Sequence, residues 1–210
     1  MSDLQVRGAL WGGSGAPAPF TAAFSGAQRV TDAHGRYMDA VLAGRVYFLS
    51  SAATGGTAYV GAAAGTPLFA IHNPASSGKI LVVLAVGFAQ RATATGAGTT
   101  GLVLWSGPSV LPTGTQTTPT SALSLAATGA AAKGFSNAAL TGSTALTVAM
   151  PLHTHYWATA AAAFSAPGWF DVGGLVIAVP GNQIALGLTV IPTAVTVDSA
   201  LYWEEIPYLT

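Results

Sequence analysis

Cysteine is absent from this 210-residue chain, and charged side chains make up only 7% of it. Without cysteine the protein has no disulfides and no thiolate metal ligands, which fits a cytosolic origin without establishing one. Seven basic residues balance seven acidic ones. The zero net charge argues against nucleic acid as a partner, because no basic patch is available to neutralise phosphates.

Long hydrophobic runs are also missing. The longest clear run, Ile80–Ala89, is far shorter than the roughly 20 residues that a membrane-spanning helix needs. The N-terminal MSDLQVRGALWGG has no continuous hydrophobic region after its positive charge, so it predicts no signal peptide. We therefore expect no membrane partner.

Small and apolar residues dominate what is present. Hydrophobic residues make up 51% of the chain, which also contains 26 glycines. An ordinary soluble domain has about 25% charged residues, so a monomer of this chain would expose unusually little charge. A fixed place in an assembly would explain the deficit. We expect a stable homo-oligomer, with a trimer as the first choice.

The chain is organised around the stretch from Ile71 to Gln90. A turn built from Asn73, Pro74 and Gly78 precedes the β-branched run Ile80–Ala89. The run has no polar alternation, which predicts a central strand with both faces covered, the outer one by another sheet or subunit. Val83 and Val86 differ by three positions, so on a regular strand they should lie on opposite faces.

The N-terminal residues 1–28 are predicted to form an extended arm. Glycines and prolines interrupt regular structure there, while Trp11 and Phe20 are large side chains that need burial. Either the arm lies over a neighbouring surface with these two residues as anchors, or it is a loose tail of the kind common at termini. Residues 29–210 are predicted to form one β domain.

One short helix is predicted over Arg36–Ala43, because apolar side chains recur four residues apart and Gly44 follows as a C-cap. Its charged residues are best explained as the solvent-exposed face of the helix.

The other elements are short strands, and residues 106–121 are predicted to form one long loop. The predicted strands are 45–50, 57–60, 68–71, 80–89, 102–105, 146–150, 156–159, 168–172, 175–179, 184–191 and 200–206.

Turn chemistry near the C-terminus predicts a hairpin. The apolar runs 175–179 and 184–191 are separated by Pro180-Gly181-Asn182, which suits a type II turn. Many short strands with recurrent Gly/Pro turns and little helix favour an all-β fold. We predict a jelly-roll-like β-sandwich with an extended N-terminal arm and one short helix.

Candidate chemistry is sparse. His153 and His155 have the spacing of two metal ligands on one strand face, but no carboxylate is near them in sequence. Hydrogen bonding at a strand edge explains the pair better than metal binding does.

Asn73–Ile80 ends in Ser-Gly-Lys, yet it lacks the glycine, the Ser/Thr and the following helix of a phosphate-binding loop. Glu204 and Glu205 are adjacent, so a strand points them to opposite faces.

These observations predict no catalytic residues, no cofactor, no metal and no enzymatic activity. No Gly-x-Ser-x-Gly sequence is present for a nucleophile elbow. The aromatic residues are spread through the chain, so a platform for stacking carbohydrate could form only by folding.

Four features in the same order carry a resemblance to a known group. They are RYMDAVLAGRVYFLSS, HNPASSGKILVVLAV, VIAVPGNQIALGL and LYWEEIP. The chain resembles the accessory jelly-roll proteins of tailed-bacteriophage virions over roughly residues 36–207, while residues 106–142 match nothing in that group. The resemblance implies a trimer that decorates the capsid or builds collar and tail fittings, without catalysis.

The predicted function is therefore that of a non-enzymatic virion protein that decorates or cements the capsid, with the major capsid protein as a partner. A tail, collar or fibre component is the alternative within the same class. A carbohydrate- or receptor-binding module is the alternative from another class. Binding to a glycan array would favour the module, and stoichiometric retention on purified heads would favour the virion protein.

Overall fold

A computed structural model describes residues 21–22, 28–29, 37–50, 57–59, 68–90, 98–108, 116–127, 129–136, 147–157, 168–189 and 195–208. The chain divides into two compact units, residues 1–39 and 40–210. In the first unit, β1 (Thr21–Ala22) pairs antiparallel with β2 (Gln28–Arg29). Trp11 and Phe20 of the predicted arm lie outside the described residues, so the arm stays a prediction.

The rest of the described chain is almost entirely β. One helix, α1 (Met38–Leu42), precedes the strands. They are β3 (Val46–Ser50), β4 (Thr57–Tyr59), β5 (Phe69–His72), β6 (Lys79–Gln90), β7 (Gly98–Pro108), β8 (Gln116–Thr117), β9 (Thr120–Ser121), β10 (Lys133–Ser136), β11 (Thr147–Trp157), β12 (Gly168–Asp171), β13 (Ile177–Ala178), β14 (Asn182–Leu188) and β15 (Val195–Pro207).

These strands form two antiparallel sheets. Sheet 1 has the order β12-β6-β15-β3-β9, with β13 also pairing with β6 and β4 with β15; sheet 2 has the order β11-β7-β14-β5-β10-β8. The central orders β3-β15-β6-β12 and β5-β14-β7-β11 place most successive strands in alternate sheets, which is the double Greek key of a jelly roll. The predicted all-β, jelly-roll-like sandwich is confirmed.

The core lies between the inner faces of the two sheets. Trp203, Leu81 and Val83 from sheet 1 share one buried cluster with Leu104 and Ile184 from sheet 2. Burying each such side chain contributes about 1.5–3 kcal/mol relative to leaving it exposed. A second buried cluster lies on the opposite face of sheet 2 and contains Ala70, Val103, Trp105, Phe135 and Ala185.

The prediction of a central strand at Ile80–Ala89 is confirmed by β6, which pairs with β15 on one side and with β12 and β13 on the other. Its outer face carries Ile80, Val82, Gly87 and Ala89, which are half-buried. Both faces are therefore apolar, as predicted, but the described residues cover the outer face only in part.

A β-bulge overturns the prediction that Val83 and Val86 face opposite ways. Val83 pairs with Trp203 and Ala85 pairs with Tyr202, so Leu84 is an extra residue in β6. The bulge changes the alternation of side chains at this point. Val83 and Val86 are both 0% exposed and belong to the main core cluster.

The predicted hairpin is wrong, although its turn is present. The N–H of Asn182 donates to the carbonyl of Val179 at 3.0 Å, and Gly181 has a φ of 86°, as position i+2 of a type II turn requires. However, β13 pairs with β6 in sheet 1, whereas β14 pairs with β5 and β7 in sheet 2. The turn therefore carries the chain from one sheet to the other.

Two further boundaries differ from the sequence prediction. The predicted strands 146–150 and 156–159 are one strand, β11, which runs through Pro151 with register shifts on each side of it. Because β11 is the edge strand of sheet 2, proline does not remove a hydrogen bond from the middle of the sheet. The predicted loop 106–121 contains the end of β7 and the short strands β8 and β9.

The helix prediction is confirmed within the described residues. Gly44 follows α1 with a φ of 68°, and its N–H donates to the carbonyl of Val41 at 2.9 Å. The N–H of Arg45 donates to the carbonyl of Ala40 at 3.0 Å. These bonds satisfy carbonyls at the end of the helix, and a left-handed glycine allows the chain to leave the helix for β3.

Candidate functional site

The two histidines that share metal-like spacing do lie on one face, with ring centroids 6.5 Å apart. His155 is buried, its ring meets Phe88 edge-on at 5.1 Å, and its Nε2 lies 3.4 Å from Oε1 of Gln90. His153 packs on Phe170 at 5.3 Å. Burial lowers the pKa of His155, and the neighbouring His153 lowers it further.

This geometry makes the histidines packing residues at the edge of the sandwich. Across the part of the chain that the structure describes, no group of three or more His, Asp or Glu residues could hold a metal ion. The His155 ring is buried against Phe88 and faces the side-chain amide of Gln90. Packing and hydrogen bonding therefore account for its position.

The two adjacent glutamates point to opposite faces of β15, as predicted. Glu204 forms an ion pair with Arg45, with Nε and Oε1 2.8 Å apart. Glu205 is only 3% exposed, and its carboxylate accepts the backbone N–H groups of Ala131 and Ala132, each at 2.9 Å. The sequence predicted the geometry of the pair but not the burial of Glu205.

Glu205 also affects its neighbours. The indole Nε1 of Trp203 donates to Glu205 Oε1 at 3.4 Å. Burial raises the pKa of Tyr47, and the charge of Glu205 raises it further. Because the carboxylate is engaged with backbone donors inside the sandwich, its role is structural, and it has no open face for a substrate.

The Ser-Gly-Lys segment is a structural turn. The Nδ2 group of Asn73 donates to the carbonyls of Lys79 and Ala178, at 2.8 and 2.9 Å. Strand β6 begins at Lys79, so no helix N-terminus is available to bind a phosphate at this turn. Asn73 instead links this turn to β13.

An aromatic row crosses the outer face of sheet 1. Trp169 on β12 contacts Tyr202 on β15 with ring centroids 5.1 Å apart and planes inclined at 57°. Tyr202 in turn stacks on Phe48 of β3, at 5.3 Å and 26°. We call Trp169, Tyr202 and Phe48 the aromatic row. Trp169 at its end is 61% exposed.

Small residues beneath the row allow Trp169 to lie against the sheet. Gly87 on β6 lies between Trp169 and Ala200 in the strand register. A Cβ atom at position 87 would already touch both the Trp169 ring and the Ala200 Cβ at 3.7 Å. A larger side chain at Gly87 would therefore lift the indole from the sheet.

A depression of about 400 Å³ lies beside Trp169. Two acidic residues share the outer face with the indole. Asp198 lines the depression, and Asp171 follows Trp169 by two positions in β12, with inward-facing Phe170 between them. The lining residues are Gly87, Phe88, Ala89, Gly168, Trp169, Asp198, Ser199 and Ala200.

An aliphatic strip extends the apolar character of sheet 1 beyond the row. Leu175, Ile177 and Val179 are 78%, 48% and 40% exposed, and they alternate with buried Val176 and Ala178. Ile177 pairs with Val82 on the outer face of β6. We call Leu175, Ile177 and Val179 the aliphatic strip.

The aromatic row is the arrangement that sequence analysis did not locate. Phe48, Trp169 and Tyr202 lie far apart in the chain, and only the pairing order β12-β6-β15-β3 brings them together. The sequence contained one usable signal, since alternation in β15 places Tyr202 on the face opposite the buried Trp203.

No helix among the described residues is long and apolar enough to cross a membrane. The chain matches no protein-family model, no curated protein and no solved structure.

Proposed function

We propose that this protein is a non-enzymatic structural component of a tailed-bacteriophage virion, which decorates or cements the capsid as a homo-oligomer. The observation that carries the proposal is the aliphatic strip. Leu175, Ile177 and Val179 are exposed beside the half-buried outer face of β6, in a chain with only 7% charged residues.

Contiguous exposed aliphatic side chains favour an interface, because contact with a partner removes their surface from water. The strip continues onto Val82, so an approaching partner would meet apolar side chains of both β13 and β6. A trimer is the first choice for the oligomer, and the major capsid protein is the proposed partner outside it. The resemblance to accessory jelly-roll proteins of virions supports both assignments.

Catalysis is not part of the proposal. The adjacent Glu204 and Glu205 face opposite sides of β15, and each already has partners. The buried His155 packs against Phe88. None of these groups presents a pair of reactive atoms to a common substrate.

Retention on purified heads tests the role. We expect the protein to remain on heads in stoichiometric amounts, and light scattering at micromolar concentration to give an oligomer of the 20.9 kDa chain. Ile177→Asp should weaken both properties, whereas Leu123→Asp, at a 50% exposed leucine outside the strip, should leave both unchanged.

A well-behaved monomer that does not bind heads would contradict the proposal. Retention on tails, collars or fibres and not on heads would place the same structural role elsewhere in the virion, which is the alternative within this class. Fractionating heads and tails before the binding assay distinguishes retention on heads from retention on tails, collars or fibres.

A further inference from the structure

We propose that residues 153–157, the C-terminal end of β11, form an acid-sensitive edge of the sandwich, which is closed while His153 and His155 are neutral and opens when these histidines take up protons. The opening is a local change in one edge strand, and the rest of the domain stays folded. This inference does not rest on the proposed structural role, because that role depends on the aliphatic strip.

The first observation is that the C-terminal end of β11 has few attachments. Among the described strands, β11 is the edge of sheet 2 and pairs with β7 on one side only. A register shift between Pro151 and His153 separates the pairing of residues 153–157 from that of the earlier part of β11. An edge segment beyond a break in the ladder opens more easily than a central strand, because fewer contacts must be lost.

The second observation is that histidine rings join this end of β11 to sheet 1. His155 is only 3% exposed. Its ring meets Phe88 of β6 edge-on at 5.1 Å, and its Nε2 lies 3.4 Å from Oε1 of Gln90. The His153 ring lies 5.3 Å from that of Phe170 in β12. Contacts between the two sheets at this edge are therefore made by side chains that titrate near neutral pH.

The third observation is that the two histidines disfavour each other's charge. Their ring centroids are 6.5 Å apart. Burial lowers the pKa of His155, and the neighbouring His153 lowers it further. A proton on His155 therefore costs more while its ring is packed against Phe88 than after the ring has moved into water.

The other side chains around the rings belong to three strands. Thr100 and Leu102 of β7 pair with His155 and His153, and the remaining contacts are with Phe88, Gln90 and Phe170. None of these five side chains titrates in this pH range.

The acidic residues on the neighbouring strands lie on the other face of sheet 1. Asp171 of β12 and Asp198 of β15 are on its outer face, whereas Phe88 and Phe170 pack on the core. The neighbouring charge that acts on His155 is therefore that of His153, which opposes protonation.

The direction of the pH effect follows from the two states. Opening hydrates His155 and returns its pKa toward the ordinary value of about 6.5. The open state then binds the proton more tightly than the closed state, so the open population is smallest above about pH 6.5 and rises as the pH falls. One histidine can raise that population at most about 30-fold between about pH 7.5 and about pH 5.

Hydrogen–deuterium exchange of the full chain, followed by mass spectrometry, tests this inference. Rates at about pH 7.5 and about pH 5 are each divided by the intrinsic chemical rate at that pH. We expect the protection of residues 153–157 to fall by about threefold to 30-fold in acid. Protection of β14, at the centre of sheet 2, should fall less, because its exchange requires a larger opening.

Two histidine variants identify the groups responsible. His155→Gln should remove most of the fall in protection, because glutamine does not titrate. His153→Gln should make the fall smaller, because the neighbouring charge no longer opposes protonation of His155 in the closed state. The measured quantity is the ratio of protection at the two pH values, so a variant whose β11 is looser at both still tests the inference.

His72→Gln is the matched control. His72 is also buried, and burial lowers its pKa, but it lies on β5. This variant should leave the acid response of residues 153–157 unchanged, although it can alter the pH dependence of global stability.

Three results would overturn the inference. They are an equal loss of protection in β11 and β14, which would indicate global unfolding, an undiminished acid response in His155→Gln, and loss of the response in His72→Gln. A protein that shows the local acid response but is not retained on heads would support this inference and contradict the proposed function alone.

Discussion

Val83 and Val86 both face the core of the sandwich, although they are three residues apart on the same strand. The extra residue Leu84 forms a bulge opposite Tyr202 and Trp203, and it brings the two valines onto one face. Carbonyls at the bulge also accept hydrogen bonds from the turn after β12, including Val172 N–H to Leu84 O at 2.8 Å. The bulge therefore joins the strand to its neighbouring turn.

The first prediction follows from this shared face. Val83→Asp and Val86→Asp should both unfold the domain or make it insoluble, because each places a carboxylate at a site that is 0% exposed. We expect losses above about 4 kcal/mol in each case. Urea denaturation and solubility measure the effect.

Val82→Asp is the matched control, since Val82 is half-buried on the outer face of the same strand. It should remain folded and be less destabilised than either core variant. Destabilisation of only one of the two core variants would contradict the placement of Val83 and Val86 on one face by the bulge at Leu84.

The second prediction concerns the buried carboxylate of Glu205. Glu205→Gln replaces one acceptor oxygen with a donor group, so the N–H groups of Ala131 and Ala132 can no longer both be satisfied. We expect a loss of about 3 kcal/mol in the free energy of unfolding, measured by urea denaturation.

Glu204→Gln, one position earlier, is the control for the second prediction. Its ion pair with Arg45 lies on the outer face, where the Arg45 and Glu204 side chains are 45% and 14% exposed. Because water still reaches Arg45, we expect a loss below the roughly 3 kcal/mol of Glu205→Gln. Equal losses in the two variants would contradict the structural role assigned to Glu205.

The third prediction is a pH dependence of stability from His155. Burial lowers its folded-state pKa below the ordinary value near 6.5, so the unfolded chain binds the proton more readily. Stability should therefore be greatest above about pH 6.5 and should fall as the pH drops through 6.5 toward the folded-state pKa. Thermal unfolding between pH 7.5 and about pH 5 measures this effect.

His155→Gln should reduce the slope, because glutamine does not titrate and still offers an amide to Gln90. His72 is a second buried histidine whose pKa is lowered by burial, so part of the slope should remain in that variant. A slope of the opposite sign would show that the histidines are protonated in the folded protein.

The fourth prediction compares two glycines in strands. At Gly134 in β10, a Cβ atom would lie 2.5 Å from the backbone oxygen of Thr117 and 2.9 Å from a methyl carbon of Leu49. Because a paired backbone oxygen cannot move freely, Gly134→Ala should destabilise the domain by about 1–3 kcal/mol. Differential scanning calorimetry measures the shift.

Gly98→Ala in β7 is the control for this comparison, since a Cβ atom there would meet nothing within 4 Å. Its stability should stay unchanged or rise slightly, because alanine restricts the unfolded chain more than glycine does. Equal destabilisation at both positions would remove the steric explanation for Gly134.

Local chemistry in the sequence determined the helix, most of the longer strands and the fold class. The β-branched run after the Asn73–Gly78 turn predicted β6, and the glycine at position 44 predicted the end of α1. Alternation along β15 separated Glu204 from Glu205. These features depend on backbone preferences and on neighbours a few residues away, so the sequence contains them directly.

The tertiary structure alone decided how the strands pair. The type II turn at Pro180-Gly181 was predicted correctly, yet its flanking strands enter different sheets. A turn fixes the local chain direction, whereas the partner of a strand is set by which apolar faces pack together across the whole domain. Pro151 was likewise accommodated because β11 is an edge strand.

The candidate site also depends on how strands that are distant in the sequence pair with each other. Trp169, Tyr202 and Phe48 become neighbours only when β12, β6, β15 and β3 pair in that order. The burial of Glu205 and the shared face of Val83 and Val86 also require a particular register and a bulge. Register is a property of two strands together, so no single stretch of sequence specifies it.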